Sequence, residues 1–264
     1  MTTYPKAPIF IQYFLVREII MHDLPANTIR AIRPKILFGE IEAKHKNSNV
    51  SFKVNIPPTA IGGMTLLESS ILVSLYKLCR PKDIFEFGTY MGASTLLLAE
   101  NSEDDVRITT LDIDKASLSG NTAAATDILH NADDNDAFLR RSFADSGAIY
   151  LDRAAPEIQK KVTRLHQDSR AMDIRKMGFV NTFDYIFIDG GHDYETIKTD
   201  TANALKMARK DSVIIWHDYN SQIHGDVTRF INGEHSQHHA LFHVEHTMLA
   251  FQLNGAYQDI IKIQ

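Results

Sequence analysis

The chain has 264 residues, 44% of them hydrophobic and 23% charged, the balance of an ordinary globular protein long enough for a full core. Its 33 acidic residues stand against 28 basic ones, for a formal net charge of −5, which argues against the basic face that nucleic-acid binding needs. The single cysteine, Cys79, excludes an internal disulfide framework and fits a reducing compartment.

Residues 9–16 are apolar but few, broken by Gln12 and flanked by Pro5, Pro8, Arg17 and Glu18. Such a stretch is too short to span a bilayer and lacks a signal-peptide pattern, so a cytoplasmic protein without a membrane partner is expected. Residues 9–21 are expected to form a helix, apolar around much of its circumference, that the core or a second copy in a homo-oligomer must cover. Residues 25–60 carry Pro25, Pro34, Pro57 and Pro58 and read as irregular, with a short strand at 50–56. Residues 1–60 thus form an N-terminal extension, a cap or oligomer contact, before a domain spanning 61–264.

Residues 64–78 have helical apolar spacing, with Thr65 or Ser69 near the start and Pro81 beyond the end. A short apolar strand follows at 84–87. The chain then breaks at Gly88 and Gly92 and resumes as a helix at 93–100. Strand, glycine turn and helix in succession make the first half of a nucleotide-binding βαβ unit. The spacing is Gly-x-x-x-Gly, not the Gly-x-Gly-x-x-Gly of dinucleotide enzymes. Glu86, two residues before the first glycine, would repel a pyrophosphate and suits a cationic ligand, which points from a nicotinamide cofactor toward a sulfonium one.

Residues 106–113 alternate and are β-branched, so they form the second strand. Asp112 ends it, about 20 residues after Gly92, where an acid can accept both hydroxyls of a ribose or cap a helix. Residues 115–160 exceed what one crossover helix needs and predict an insertion. A third strand at 162–166 ends in Gln167-Asp168-Ser169, a pair able to accept from an adenine amino group or to cap the next helix. A fourth strand at 183–188 ends in Asp189-Gly190-Gly191-His192, and a helix spans 194–208. A fifth strand at 212–216 ends in His217-Asp218-Tyr219-Asn220. A short helix at 227–232 and two closing strands at 241–246 and 248–253 complete the chain.

The fold class is therefore α/β. The expectation is a Rossmann-like, doubly wound, mainly parallel seven-stranded sheet with an antiparallel closing strand and helices on both faces. Ligands of such sheets bind beyond the carboxyl ends of the strands, and Glu86, Asp112, Asp168, Asp189 and Asp218 all sit at those ends.

The set resembles the class I S-adenosylmethionine-dependent methyltransferases. Glu86-Phe87-Gly88-Thr89-Tyr90-Met91-Gly92-Ala93-Ser94 is similar to the cofactor loop of the catechol O-methyltransferase group. Asp189-Gly190-Gly191-His192-Asp193-Tyr194, with Trp216-His217-Asp218-Tyr219, resembles a broader group that includes sugar O-methyltransferases of macrolide biosynthesis. The resemblance covers about residues 60–253. It implies that Glu86 and the Gly88-Thr89-Tyr90 backbone, with Gly92 and Ser94, hold the methionine part of S-adenosylmethionine. Asp112 would take the ribose, Asp168 and Ser169 the adenine. Asp189 and Asp218 match carboxylates that bind magnesium in the metal-dependent members, with His217 or Asn220 as a further ligand. His192 matches the position of a catalytic base, and the alternative is that it ties its loop to the following helix. The acceptor would be a small hydroxylated molecule, a sugar or natural product.

Three other readings stay open: a methyltransferase without a metal, a nicotinamide-dependent oxidoreductase, and a non-catalytic cofactor-binding protein. Trp216 reads as core. His235, His238, His239, His243 and His246 read as a solvated or interfacial cluster, because residues three apart on a strand face opposite ways.

Overall fold

The computed structural model describes residues 26–46, 49–54, 62–114, 137–139, 141 and 147–262. The helix expected at 9–21 and much of the expected insertion at 115–160 lie outside the described residues. Eight strands make one sheet in the order β1-β7-β8-β6-β5-β2-β3-β4. They are β1 Ile29–Ile32, β2 Asp83–Phe87, β3 Arg107–Asp112, β4 Val162–His166, β5 Phe183–Ile188, β6 Ala208–Trp216, β7 Leu241–Val244 and β8 Ala250–Asn254. Every neighbouring pair is parallel except the two that β8 makes, with β6 and with β7. The expected class holds, and β1 adds an eighth strand by pairing in parallel with β7 at the edge.

The described helices are α1 Pro34–Lys44, α2 Leu66–Cys79, α3 Ala93–Asn101, α4 Ile149–Asp152, α5 Pro156–Gln159, α6 Tyr194–Met207 and α7 Gly225–Phe230. β1 and α1 correct the expectation of an irregular stretch at 25–60. Pro34 occupies the first helical position, where its missing N–H costs nothing and its fixed φ favours the helix. The strand expected at 50–56 is not formed at residues 50–54. Val50, Phe52 and Val54 instead pack against the core, and the Lys53 N–H donates to Asn101 Oδ1 at 2.9 Å.

Side-chain alternation along the central strands sorts the core into two layers. Ile84, Tyr185, Phe187, Val213 and Ile215 face α2 and α3. Phe85, Phe87, Ile186, Ile188, Ile214 and Trp216 face α6. Trp216 is fully buried, and its Nε1 donates to Thr201 Oγ1 at 2.9 Å, so it is core. The same alternation places Glu86 on the face of α2 and α3, inside the protein. α2 opens with a capping box: Thr65 Oγ1 accepts from Glu68 N at 3.2 Å, and Glu68 Oε2 accepts from Thr65 N at 2.8 Å. Such a cap stabilises a helix by about 1 kcal/mol.

From β2 the chain passes to β3 and β4 on one side and to β5 and β6 on the other. The strand order reverses beside β2, and the crevice opens there at the carboxyl ends.

Candidate functional site

The turn after β2 passes through three residues of positive φ, two of them glycines. Gly88 has φ +89°, Tyr90 +47° and Gly92 +81°. A Cβ on Gly88 would lie 1.9 Å from the Asp189 carbonyl oxygen, so only glycine lets the two strand ends approach this closely. Asp112 holds the turn from the next strand. Its Oδ2 accepts from the backbone N–H of Thr89 at 2.9 Å and of Tyr90 at 2.6 Å, and its Oδ1 from Ile113 at 2.8 Å.

Glu86 sits beneath the turn and is 0% exposed. Its carboxylate accepts from Ser94 at 2.5 Å, from Thr110 at 2.6 Å and from Thr95. Burial pushes its pKa up to about 7 although these three hydroxyls pull the other way. Glu86 therefore braces the loop and the start of α3 from inside, while Ser94 lies on the cavity wall.

The cavity at the strand ends has a volume of about 410 Å³. Residues 62–64, 88–91, 112–113, 167–170, 189–193 and 217–218 line it, with Ile223, His224 and Met248. Gly88, Thr89, Tyr90, Ser94, Asp112, Asp168, Ser169, Asp189, His192, His217 and Asp218 thus meet around one space. Gly92 starts α3 behind it, where a Cβ would strike the Leu151 side chain at 2.5 Å. Asn220 is exposed and not on the wall, and its N–H donates to Thr228 Oγ1 at 2.8 Å. Asp168 caps the turn at Ser169–Ala171 and pairs with Arg170, Nη2 to Oδ2 at 2.7 Å.

At the other end of the cavity lies a cluster of imidazoles and carboxylates. Asp218 takes φ +59° right after β6, a strained conformation for an ordinary residue and frequent at functional sites. Its Oδ2 lies 2.9 Å from His192 Nε2 and 3.0 Å from His217 Nδ1. The same His217 nitrogen lies 3.1 Å from Asp189 Oδ1, and His217 Nε2 lies 3.7 Å from Glu68 Oε1. Burial disfavours the charged form of His217, but Asp189, Asp218 and Glu68 outweigh it and hold the pKa well above 6.5. Burial also works against ionisation of Glu68. The His217 imidazole and the N–H groups of Met248 and Thr65 prevail and bring its pKa down to about 2. Asp218, likewise opposed by burial, is held far below the usual carboxylate range by His192 and His217. His192 stacks on His224, with ring centroids 3.7 Å apart and planes at 19°.

Among the described residues two groups present three ligand atoms within 4.8 Å of one another: Asp189, His217 and Asp218, and His192, Asp218 and His224. Sequence reasoning missed Glu68, Asp200 and His224 as members of this neighbourhood. The Thr65-x-x-Glu68 spacing was a capping-box signal, and nothing in the sequence marked the other two. Of the histidines near the C-terminus expected to be solvated or interfacial, His238 and His246 are exposed and His239 and His243 half-buried, whereas His235 differs. His235 is buried, packs against Trp216 with ring centroids 4.7 Å apart and planes tilted at 55°, and bonds Gln252 Oε1 through Nε2 at 2.9 Å. Burial lowers its pKa to about 4.

A family model described as "Methyltransferase domain" matches residues 85–219, just over half of the chain. The chain belongs to the methyltransferase-domain family. The match runs from the middle of β2 to the residue after Asp218 and so contains the glycine turn, Asp112, Asp189, His192 and Asp218.

Solved structures of similar fold include the O-methyltransferase TomG of Streptomyces achromogenes, involved in tomaymycin synthesis and in complex with SAM. It is 16% identical over 84% of this chain and 90% of that one, with a TM-score of 0.44. An SAH-bound methyltransferase of Podospora anserina is 16% identical over 84% and 88%, with a TM-score of 0.48. An O-methyltransferase of Bacillus cereus in complex with SAH is 17% identical over 83% and 89%, with a TM-score of 0.42. No curated protein sequence matches the chain. No described helix of this methyltransferase-family chain is long and apolar enough to cross a membrane.

Proposed function

We propose that this protein is an S-adenosylmethionine-dependent O-methyltransferase acting on a small hydroxylated molecule, a sugar or natural product. The observation that carries the reading is one cavity with the Asp112-tied glycine turn at one side and the His192–Asp218 pair, 2.9 Å apart, at the other. The volume lies within the range of roughly 300–1,000 Å³ usual for small-ligand sites.

The residues present fit the methyl donor. The Asp112 carboxylate ends the second strand of the unit and lines the cavity, the place where such an acid accepts ribose hydroxyls. Ser94 and the turn backbone stand where the methionine end would lie, braced by Glu86. Asp168 and Ser169 follow β4, the strand paired with the one that Asp112 ends, and would lie on the adenine side of the ribose. When bound, S-adenosylmethionine supplies an electrophilic methyl group on a positively charged sulfur.

The chain's own residues position the acceptor and move its proton. A methyl donor held in the cavity would give its methyl group to the acceptor oxygen and leave as S-adenosylhomocysteine, and His192 would take the hydroxyl proton at the ring nitrogen that does not face Asp218. Asp218 stabilises the imidazolium that results, and His224 holds the ring by stacking. General-base help of this kind contributes about 10²–10⁴-fold.

Magnesium is the second reading, favoured by the closeness of Asp189 and Asp218. The donor set fits it poorly. Magnesium prefers oxygen ligands in an octahedron, yet the third donor is a His217 nitrogen lying between the two carboxylates, and Asn220 is off the cavity wall. Residues 1–60 and 115–160 are proposed to shape the acceptor pocket, and the N-terminal segment to serve a homo-oligomer if one forms. The acidic balance and the single buried Cys79 suit a cytoplasmic enzyme without nucleic-acid partners.

The test uses isotopically labelled methyl donor and a panel of hydroxylated acceptors, in chelator and after magnesium add-back. Transfer to oxygen should persist in chelator, and His192→Ala should lower turnover by about 10²–10⁴-fold without weakening donor binding. Activity that vanishes in chelator and returns with magnesium would establish the second reading instead.

A further inference from the structure

Asp218 leaves β6 at φ +59°, and its carboxylate faces His192 Nε2 at 2.9 Å. A non-glycine residue keeps a left-handed backbone only where its surroundings over-determine it. Here the next residue supplies the constraint. Tyr219 is 6% exposed and is fixed at three points. Its N–H donates to the Met248 carbonyl at 3.0 Å. Its ring packs edge-on against His243, with centroids 5.0 Å apart. Its hydroxyl donates to Asn232 Oδ1 at 2.9 Å.

Asn232 belongs to a π-turn, Ile231–His235, that directly follows α7. Such turns are rare and occur frequently at functional sites. From this one, His235 packs on Trp216 and Asn232 bonds Tyr219. Trp216 and Tyr219 flank the His217-Asp218 dipeptide, so a single turn grips the chain on both sides of the acid. α7 adds two ties. Thr228 Oγ1 accepts from the Asn220 N–H at 2.8 Å, and Asp226 Oδ2 accepts from the Tyr194 N–H at 3.1 Å. The segments that carry Asp218 and His192 are thus moored to the same helix. Neither Tyr219 nor Asn232 lines the cavity, so they act on the site only through the residues they hold.

We propose that Tyr219 and Asn232 are positioning residues for methyl transfer: the bond between them holds Asp218 in the left-handed conformation that aims its carboxylate at His192. The inference rests on the reading of His192 as base. Without that bond Asp218 relaxes toward negative φ, and its carboxylate swings away from the imidazole.

Tyr219→Phe removes one oxygen atom and keeps the ring, and Asn232→Ala removes the acceptor. Turnover of an acceptor found with the panel above and calorimetry with S-adenosylhomocysteine are measured on the same full-length samples. Each variant should lower kcat by about tenfold and leave donor affinity unchanged. The double variant should lose no more than either single one, since both changes break the same bond. If Tyr219→Phe does not fold, Asn232→Ala carries the test, because Asn232 is exposed. A crystal structure of the folded variant reads the positioning without any acceptor, and the His192 to Asp218 contact should open beyond hydrogen-bond distance. Wild-type kcat in a folded variant overturns the proposal, and so does a contact that stays closed. Losses that multiply in the double variant overturn it as well. So does a fall in donor affinity as large as the fall in kcat, which marks a general loosening of the fold. Turnover unaffected by His192→Ala overturns the base reading itself, and this inference with it.

Discussion

The carboxylate of Asp112 accepts from the backbone N–H of Tyr90 at 2.6 Å, from one strand end to the turn beyond the next. With the Thr89 bond at 2.9 Å, this fixes a residue held at φ +47°. One side chain thus shapes the loop and faces the cavity.

Asp112→Ala removes the acceptor of these amides and the proposed ribose partner together. Stability should fall by about 1–3 kcal/mol, and affinity for S-adenosylhomocysteine by at least about tenfold. Chemical denaturation and calorimetry on the same samples read the two effects. Unchanged affinity in a folded variant contradicts the ribose role.

Gly88→Ala places a methyl group 1.9 Å from the Asp189 carbonyl at a φ that side chains disfavour. The strand ends must part, with a loss above about 2 kcal/mol. Gly233→Ala is the control: a Cβ there meets nothing within 4 Å, and the melting temperature should stay within a few degrees of wild type. Equal tolerance at both sites would show that the close approach is dispensable.

Glu86 gives a pH signature. Its folded pKa, about 7, lies above the ordinary 4.5, so the folded state binds the proton more tightly than the unfolded chain does. The contribution of Glu86 to stability is then greatest below the unfolded value and declines as pH rises from there to about 7. Glu86→Gln is neutral at every pH and lacks this decline. The stability difference between variant and wild type should therefore move in the variant's favour, by an amount on the order of 1–3 kcal/mol, between about pH 5 and about pH 8. Urea unfolding at both pH values measures it, and a difference independent of pH counts against a raised pKa.

His224 stacks on His192 at 3.7 Å, and the proposed reaction gives it the task of positioning that ring. His224→Phe keeps an aromatic face and should retain most of the turnover. His224→Ala should lower kcat by about tenfold, with donor affinity unchanged, because a base slightly misplaced loses much of its contribution. Equal kcat in the two variants removes the positioning role.

Much of this was legible in the sequence, for physical reasons. β2, β4 and β5 are short and apolar or β-branched and end in turn residues, so their bounds could be read closely. The acids at the strand ends were visible because a parallel sheet fixes where such ends gather. β1 and α1 were not, because Pro34 reads as a breaker although it starts a helix. The placement of Glu86 was only half legible. Its position at the strand end was plain, but whether its side chain faces the cavity or the α2–α3 layer depends on the register of the strand. Asp200 and His224 carry no local signal. Their place on the cavity wall arises only when α6 and the segment after β6 fold back over the strand ends.

The central claim is that the cavity holds a nucleoside methyl donor across Asp112. Titration calorimetry of the folded chain with S-adenosylhomocysteine tests it most directly. The account predicts saturable binding at one site per chain, weakened at least about tenfold by Asp112→Ala. No heat of binding from protein shown to be folded, or undiminished binding by the variant, would contradict it.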